Sequence, residues 1–174
     1  MLDDLFFLDI SHSGRNAYLT LSLAQALLRA GDERFAPLVR GVARAASPTG
    51  QWPEALHPRT GGGCMGDGQH GWAAAEWILM MRSLFLREEG TSLVLGSGLP
   101  AGWLTPGRPL CFGPTPTPWG AVRVVVQPGQ REVVVRWQAA WRGEPPQIEV
   151  HLAGQRVAVD AASADRVAVH RPGP

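Results

Sequence analysis

Apolar residues recur at helical spacing in the first half of the chain. Three leucines stand four residues apart and indicate one face of a helix: Leu19, Leu23 and Leu27. This spacing predicts an amphipathic helix over about residues 16–30. Gly31 ends that helix, and a second helical pattern runs to about Ala46. Because the connection is this short, we expect the two helices to form an antiparallel hairpin.

A third helix is predicted over about residues 69–87 from the same repeat. Its apolar stripe contains two tryptophans: Trp72, Ala73, Trp77, Met80, Met81 and Leu84. A helix that is apolar on two sides is normally buried between other helices. We therefore expect this chain to pack against a partner subunit or against a missing N-terminal part of the same protein.

The helical repeat gives way to short alternating segments after about Gly90. Residues 121–126 and 132–137 alternate on either side of Pro128 and Gly129, which is typical of a β-hairpin. Five further segments have strand character: residues 93–95, 110–112, 147–152, 156–159 and 166–170. The pattern predicts a mainly α and then β fold, with a helical segment over 1–89 and a small antiparallel, sandwich-like β-domain over 90–174.

Composition and charge exclude several classes of function. The net charge of +1 gives no electrostatic basis for binding nucleic acid or a membrane surface. Cys64 and Cys111 do not form a metal-binding spacing, and no cofactor motif is present, so we expect neither a metal nor a cofactor. The acidic start of the chain does not resemble a signal peptide, and no apolar run approaches the roughly 20 residues that span a bilayer. These features favour a cytoplasmic protein.

A long polar loop over residues 47–72 separates the second and third predicted helices. The loop is rich in glycine and proline, and it carries Gly50-Gln-Trp-Pro-Glu54, then Thr60-Gly61 and Gly71-Trp72. Long ordered loops in compact domains often have a functional role.

These motifs resemble the C-terminal end of the six-hairpin glycosidases, which are (α/α)6 toroids. The resemblance covers about residues 11–104 and includes the Leu93–Trp103 segment that follows the third helix. It implies the C-terminal part of a glycoside hydrolase-like enzyme that cleaves oligo- or polysaccharides with inversion. In glucoamylase-like members a Glu at the position of Glu54 is the general base, whereas the general acid lies in an earlier hairpin that is not in this chain. Ala73 and Ala74 stand where those enzymes have a hydroxyl residue.

An inverting glycosidase places two carboxyl groups about 6.5–9.5 Å apart around the scissile bond. Glu54 is our candidate catalytic base, and Trp52 beside it would form a wall on which a sugar stacks. The alternative is that Glu54 is a solvated loop carboxylate or caps a turn.

Other candidate substrate-binding residues lie at the starts of the predicted helices. Asp67, Gln69 and His70 combine a carboxylate, an amide and an imidazole that suit sugar hydroxyls, although Asp67 also fits an N-cap. His12 and Arg15 precede the first helix and would line the same funnel, or else form an ordinary helix-entry turn.

Two further functional hypotheses remain open. In a glycoside phosphorylase fragment, phosphate would replace water, and histidine, arginine and glutamine groups would bind it. A non-catalytic carbohydrate-binding or interaction module would bind sugar or a partner without turnover.

Overall fold

The computed structural model describes residues 3–9, 13–66 and 68–171, and the chain forms two compact units. The first unit is Met1–Met81 and the second is Arg82–Pro174. The division falls inside the third helix.

Three α-helices lie in the described part of the chain: α1 (Ala17–Arg29), α2 (Phe35–Arg44) and α3 (Gly71–Phe85). Each lies within the range that the apolar repeat predicts. Asn16 caps α1, since its side-chain oxygen accepts a hydrogen bond from the backbone N–H of Leu19 at 2.9 Å.

The face of α1 that is buried differs from the one the leucine repeat predicts. The fully buried positions of α1 share one side of the helix: Ala17, Thr20, Leu21, Ala24 and Leu28. Leu19, Leu23 and Leu27 are only half-buried on the flank. Small residues at two of the buried positions allow close packing, and α2 is the neighbour that α1 contacts most extensively.

The first unit also contains a four-stranded antiparallel sheet that the sequence pattern does not predict. Its strands run in the order β1 (Phe6–Asp9), β2 (Ser13–Asn16), β3 (Ala55–Leu56) and β4 (Gly63–Met65). The last two strands fold the long loop back onto the entry to α1.

The second unit begins where α3 ends at Phe85. The chain continues directly into β5 (Leu86–Glu89), which pairs antiparallel with β6 (Ser92–Leu95) across a two-residue turn at Gly90 and Thr91. The prediction that the helix continues to residue 87 is therefore wrong, because the backbone of residues 86 and 87 pairs with residues 95 and 94.

Two four-stranded sheets make up the second unit. The first has the order β11-β10-β6-β5, with β10 (Gln147–Leu152) and β11 (Gln155–Asp160). β10 pairs parallel to β6, so this sheet is mixed and the prediction of a purely antiparallel domain is wrong.

The other sheet is antiparallel, with the order β12-β9-β8-β7. Its strands are β7 (Leu110–Thr117), β8 (Gly120–Pro128), β9 (Glu132–Trp141) and β12 (Arg166–His170). Both sheets bury one face, and alternate residues of β8 and β10 are inaccessible: Val122, Val124, Val126, Ile148 and Val150. The period-two alternation produces this apolar face.

Gly120 is required by close backbone packing at the start of β8. Its φ of +133° is disfavoured for side-chain-bearing residues, and a Cβ there would lie 2.1 Å from the carbonyl oxygen of Ala140.

The predicted fold class and the six-hairpin resemblance are both wrong. The described residues form three helices and three four-stranded sheets, so the architecture is mainly β or α+β. A toroid is built of helical hairpins, whereas the segment assigned to its last hairpins contains the β1–β4 sheet. The Gly-Gln-Trp-Pro-Glu and Gly-Trp motifs are too short to specify a toroid against this pairing. Within the described part of the chain, no helix is both long and apolar enough to cross a membrane.

Candidate functional site

The loop over residues 47–70 is held by hydrogen bonds at several points. The backbone N–H of His70 donates to the carbonyl of Trp52 at 2.8 Å, and that of Glu54 donates to Met65 at 3.2 Å. The side-chain amide of Asn16 donates to the carbonyl of Glu54 at 2.9 Å. The loop is therefore an ordered part of the first unit.

Trp52 is buried within the first unit. Its indole is 4% exposed, its N–H donates to the carbonyl of Val42 at 2.8 Å, and its ring lies 5.4 Å from that of Trp77. The residue also borders a surface cleft. Trp52 thus anchors the loop and does not present an open stacking face.

Glu54 lies half-buried next to the buried strand β3. Its backbone makes both hydrogen bonds described above, while its carboxylate makes no hydrogen bond or ion pair with a described residue. Because the fold is not a toroid, the resemblance no longer supports glycosidic-bond cleavage, and the role of Glu54 as a general base stays a prediction.

Of the two residues predicted to line a funnel before α1, Arg15 is among the described residues. Arg15 lies on β2, its guanidinium forms a 2.8 Å ion pair with Asp3, and its Nε is buried without a hydrogen-bond partner among the described residues. His12 and Asp67 lie outside the described residues.

Three aromatic rings come together where α1 and α3 begin, and we call them the Trp72 cluster: Tyr18, His70 and Trp72. The Tyr18 ring lies 5.2 Å from His70 and 5.5 Å from Trp72, the latter edge to face, and the His70 and Trp72 centroids are 5.6 Å apart. Trp72 is 66% exposed. The cluster therefore holds one indole in a defined position with most of its surface in solvent.

A cleft of about 230 Å³ adjoins this cluster, and we call it the His70 cleft. Its lining combines two amides, an imidazole and backbone: Gly50, Gln51, Trp52, Gln69, His70 and Ala74. The Nδ1 atom of His70 is buried without a hydrogen-bond partner among the described residues. Burying such a nitrogen without a partner lowers the stability of the fold by about 1–3 kcal/mol. A hydrogen bond to a ligand hydroxyl or to a bridging water would offset this loss.

Gln69 and His70, two of the predicted substrate-binding residues, both line the His70 cleft, and the His70 ring also contacts Tyr18 and Trp72. Their role in binding a substrate stays a prediction. The sequence pattern places Trp72 in the apolar stripe of α3, and this is wrong, because the buried face contains Ala73, Met80 and Leu84 and leaves Trp72 66% exposed. Tyr18 is 54 positions away from Trp72 in sequence, and no local pattern links the two.

A polar cluster in the second unit does not have the geometry of a catalytic triad. His151 Nε2 lies 2.9 Å from a carboxylate oxygen of Glu149, and this contact, more than the hydrogen bond from Ser92, lowers the pKa of Glu149. The carboxylate therefore lies between the hydroxyl and the imidazole. A triad needs the imidazole in the middle to take the proton from the nucleophile.

The outer face of α3 is unusually apolar. After Trp72, its exposed positions lie on one side of the helix: Ala74, Ala75, Ile78 and Leu79. Ile78 is 66% exposed and Leu79 is 47% exposed. Contiguous exposed apolar residues of this kind mark interaction surfaces.

Comparison of the chain with protein-family models, curated proteins and solved structures finds no match. Function is therefore argued from the site alone.

Proposed function

We propose that the chain is a non-catalytic carbohydrate-binding module, and that the Trp72 cluster and the His70 cleft form its site. The observation that carries the proposal is an open indole, held by two neighbouring rings, beside a cleft edged by amides and by an imidazole with an unpartnered nitrogen. Concave sites with aromatic walls and a few converging polar groups are typical of small-ligand binding.

The chemistry of a neutral sugar matches both parts of this site. One face of a pyranose ring presents C–H groups, which pack on an indole and lose contact with water. The ring edge carries hydroxyl groups that donate and accept, and these suit the amides of Gln51 and Gln69 and the imidazole of His70. The described lining of the cleft contains no arginine or carboxylate, so it offers no group that would pair with a charged ligand.

The cleft is small, which limits the ligand. Its volume lies below the roughly 300–1,000 Å³ of sites for drug-sized molecules. We therefore assign it a single terminal sugar residue, with the adjoining residue of an oligosaccharide stacked on Trp72. We expect one stacked ring and two or three hydrogen bonds to give a binding free energy of about 4–6 kcal/mol. This corresponds to a dissociation constant between about 1 mM and 40 μM.

The test is saturation-transfer NMR of the full chain against neutral mono- and disaccharides that differ in ring stereochemistry and linkage. We expect transfer to the ring C–H protons of at least one sugar, and its loss in Trp72→Ala. No transfer to any neutral sugar, or unchanged transfer in Trp72→Ala, would rule the site out.

The outer face of α3 supports a second candidate function, which is self-association. Alanines at 74 and 75 let a second helix approach closely, and Ile78 and Leu79 supply the apolar area to be buried. A second copy presents the same face, so the contact would be isologous.

Sedimentation velocity at roughly 10–100 μM chain tests this reading by mass action. We expect a dimer that the paired substitution Ile78→Ser and Leu79→Ser converts to a monomer. A wild-type chain that remains monomeric over this range would rule out self-association.

A further inference from the structure

A second cleft lies entirely within the second unit, on the segment that precedes β7. Its volume is about 460 Å³, which falls within the range of small-ligand sites. The lining contains one aromatic, one hydroxyl and one cationic side chain: Gly102, Trp103, Thr105, Arg108, Pro109 and Leu110.

Trp103 presents part of its indole to this cleft from a fixed position. It is 43% exposed, and Phe85 supports it from within the unit at a centroid distance of 6.5 Å. Phe85 in turn stacks on Phe112 at 5.2 Å with an interplanar angle of 12°. The indole therefore has a packed side and an open side.

The backbone of this segment is held at several points. The guanidinium of Arg171 donates to the carbonyl of Leu104 at 2.7 Å and to that of Gly129 at 3.1 Å. The N–H of Gly107 donates to Pro128 at 3.0 Å, and the N–H of Arg108 donates to Thr105 at 3.1 Å. A segment fixed in this way presents its side chains with little further loss of entropy on binding.

Arg108 is exposed, and its guanidinium makes no hydrogen bond or ion pair with any described residue. Two other arginines of this unit are paired with carboxylates: Arg82 donates to Glu88 through bonds of 2.9 and 2.6 Å, and Arg87 donates to Glu89 at 2.7 Å. A guanidinium offers a planar fork that matches a carboxylate in two parallel hydrogen bonds.

We propose that this cleft binds an acidic sugar, a uronic acid residue of an oligosaccharide. The pyranose ring stacks on the open side of Trp103, and the carboxylate accepts two hydrogen bonds from the guanidinium of Arg108. The hydroxyl of Thr105 donates to the carbonyl of Gly102 at 3.4 Å, so its oxygen accepts a hydrogen bond from a ring hydroxyl. The proposal stands on different residues from the neutral-sugar site and does not depend on it.

Calorimetric titration of the full chain with a glucuronic acid disaccharide, and with the neutral glucose disaccharide of the same linkage, tests the proposal. We expect the acidic sugar to bind with an affinity that falls as salt rises. Arg108→Gln should weaken binding by at least about tenfold, since the charge-assisted bonds are lost. Arg142→Gln, at another exposed arginine of the unit, is the matched control and should leave binding unchanged.

Trp103→Ala separates stacking from charge. We expect it to abolish binding of the disaccharide while its circular dichroism stays that of the wild type. If Trp103→Ala unfolds, the Arg108→Gln comparison decides alone, because Arg108 is exposed and supports no contact. The proposal is overturned by equal binding of the two disaccharides, by unchanged affinity in Arg108→Gln, by displacement with acetate as strong as with glucuronate, or by no heat up to about 10 mM sugar.

Discussion

The rings of Tyr18 and Trp72 meet edge to face, with 5.5 Å between their centroids and 80° between their planes. The contact joins the first turn of α1 to the first turn of α3. It fixes the indole from one edge and leaves 66% of Trp72 exposed. An aromatic held in one rotamer binds with less entropy loss than a mobile one, which is why this pair is central to the proposed site.

Replacing Trp52 tests its structural role. Trp52→Phe removes the N–H that bonds the Val42 carbonyl, which then keeps, among the described residues, only the hydrogen bond from the backbone N–H of Ala45 at 3.1 Å. We expect a loss of about 1–3 kcal/mol in the free energy of unfolding, measured by urea titration, because a hydrogen bond and part of a buried ring are both lost. Trp72→Phe, at an exposed position, should change it by less than about 0.5 kcal/mol. Equal effects of the two substitutions would contradict the assignment of Trp52 to the core.

Asn16 makes two hydrogen bonds from a fully buried side chain. Asn16→Ala removes the cap of α1 and the donor to the Glu54 carbonyl, so we expect a loss of roughly 2–3 kcal/mol. Asn16→Ser restores only the cap and should fall between the alanine variant and the wild type. If serine and alanine are equivalent in chemical denaturation, the capping bond does not contribute.

Replacing Gly120 by alanine tests how closely β8 packs against β9. In Gly120→Ala the new methyl group would lie 2.1 Å from the Ala140 carbonyl oxygen, so the strands must separate locally. We expect a loss of about 2 kcal/mol or more, seen as a lower thermal midpoint. Gly143→Ala is the control, since nothing lies within 4 Å of a Cβ there. A midpoint unchanged from wild type in Gly120→Ala would refute this packing.

We expect Glu149 to stabilise the fold by an amount that is lost in acid. Its pKa is lowered from 4.5, first by the hydrogen bond with His151, so the folded state binds its proton less tightly than the unfolded state does. The contribution is therefore complete above about pH 4.5 and is lost as the pH falls through the folded-state pKa below it.

We expect Glu149→Gln to reduce the pH dependence of unfolding in this acidic window. Glu144→Gln, which removes an exposed carboxylate without a described partner, should leave the wild-type dependence in place. The two variants are compared by urea unfolding at a series of pH values from 6 down to about 3. Parallel curves for Glu149→Gln and the wild type would show that the His151 contact does not stabilise the fold.

The sequence predicts α1, α2 and most of α3 because their apolar repeats are local. It fails at Leu86 because nothing local ends the helix there, and the pairing of β5 with β6 overrides the helical pattern. The first sheet is also missed, since β3 is two residues long and too short to show a period.

The candidate site is predicted only in part. Gln69 and His70 stand out because polar residues at the start of a helix are informative by themselves. The prediction that Trp52 forms a stacking wall is wrong, because its burial and its hydrogen bond to the Val42 carbonyl are tertiary contacts that no local pattern reveals. Tyr18 becomes visible only when α1 and α3 are assembled.

Isothermal titration of a neutral oligosaccharide into the wild type and Trp72→Ala tests the central claim most directly. The sugar is the best ligand of the NMR panel, and Arg142→Gln, at an exposed position of the other unit, serves as the control. We expect a dissociation constant between about 1 mM and 40 μM for the wild type and for Arg142→Gln, and at least about tenfold weaker binding for Trp72→Ala. Equal affinity in Trp72→Ala, with its fold intact by circular dichroism, would contradict the claim that this indole forms a carbohydrate-binding site.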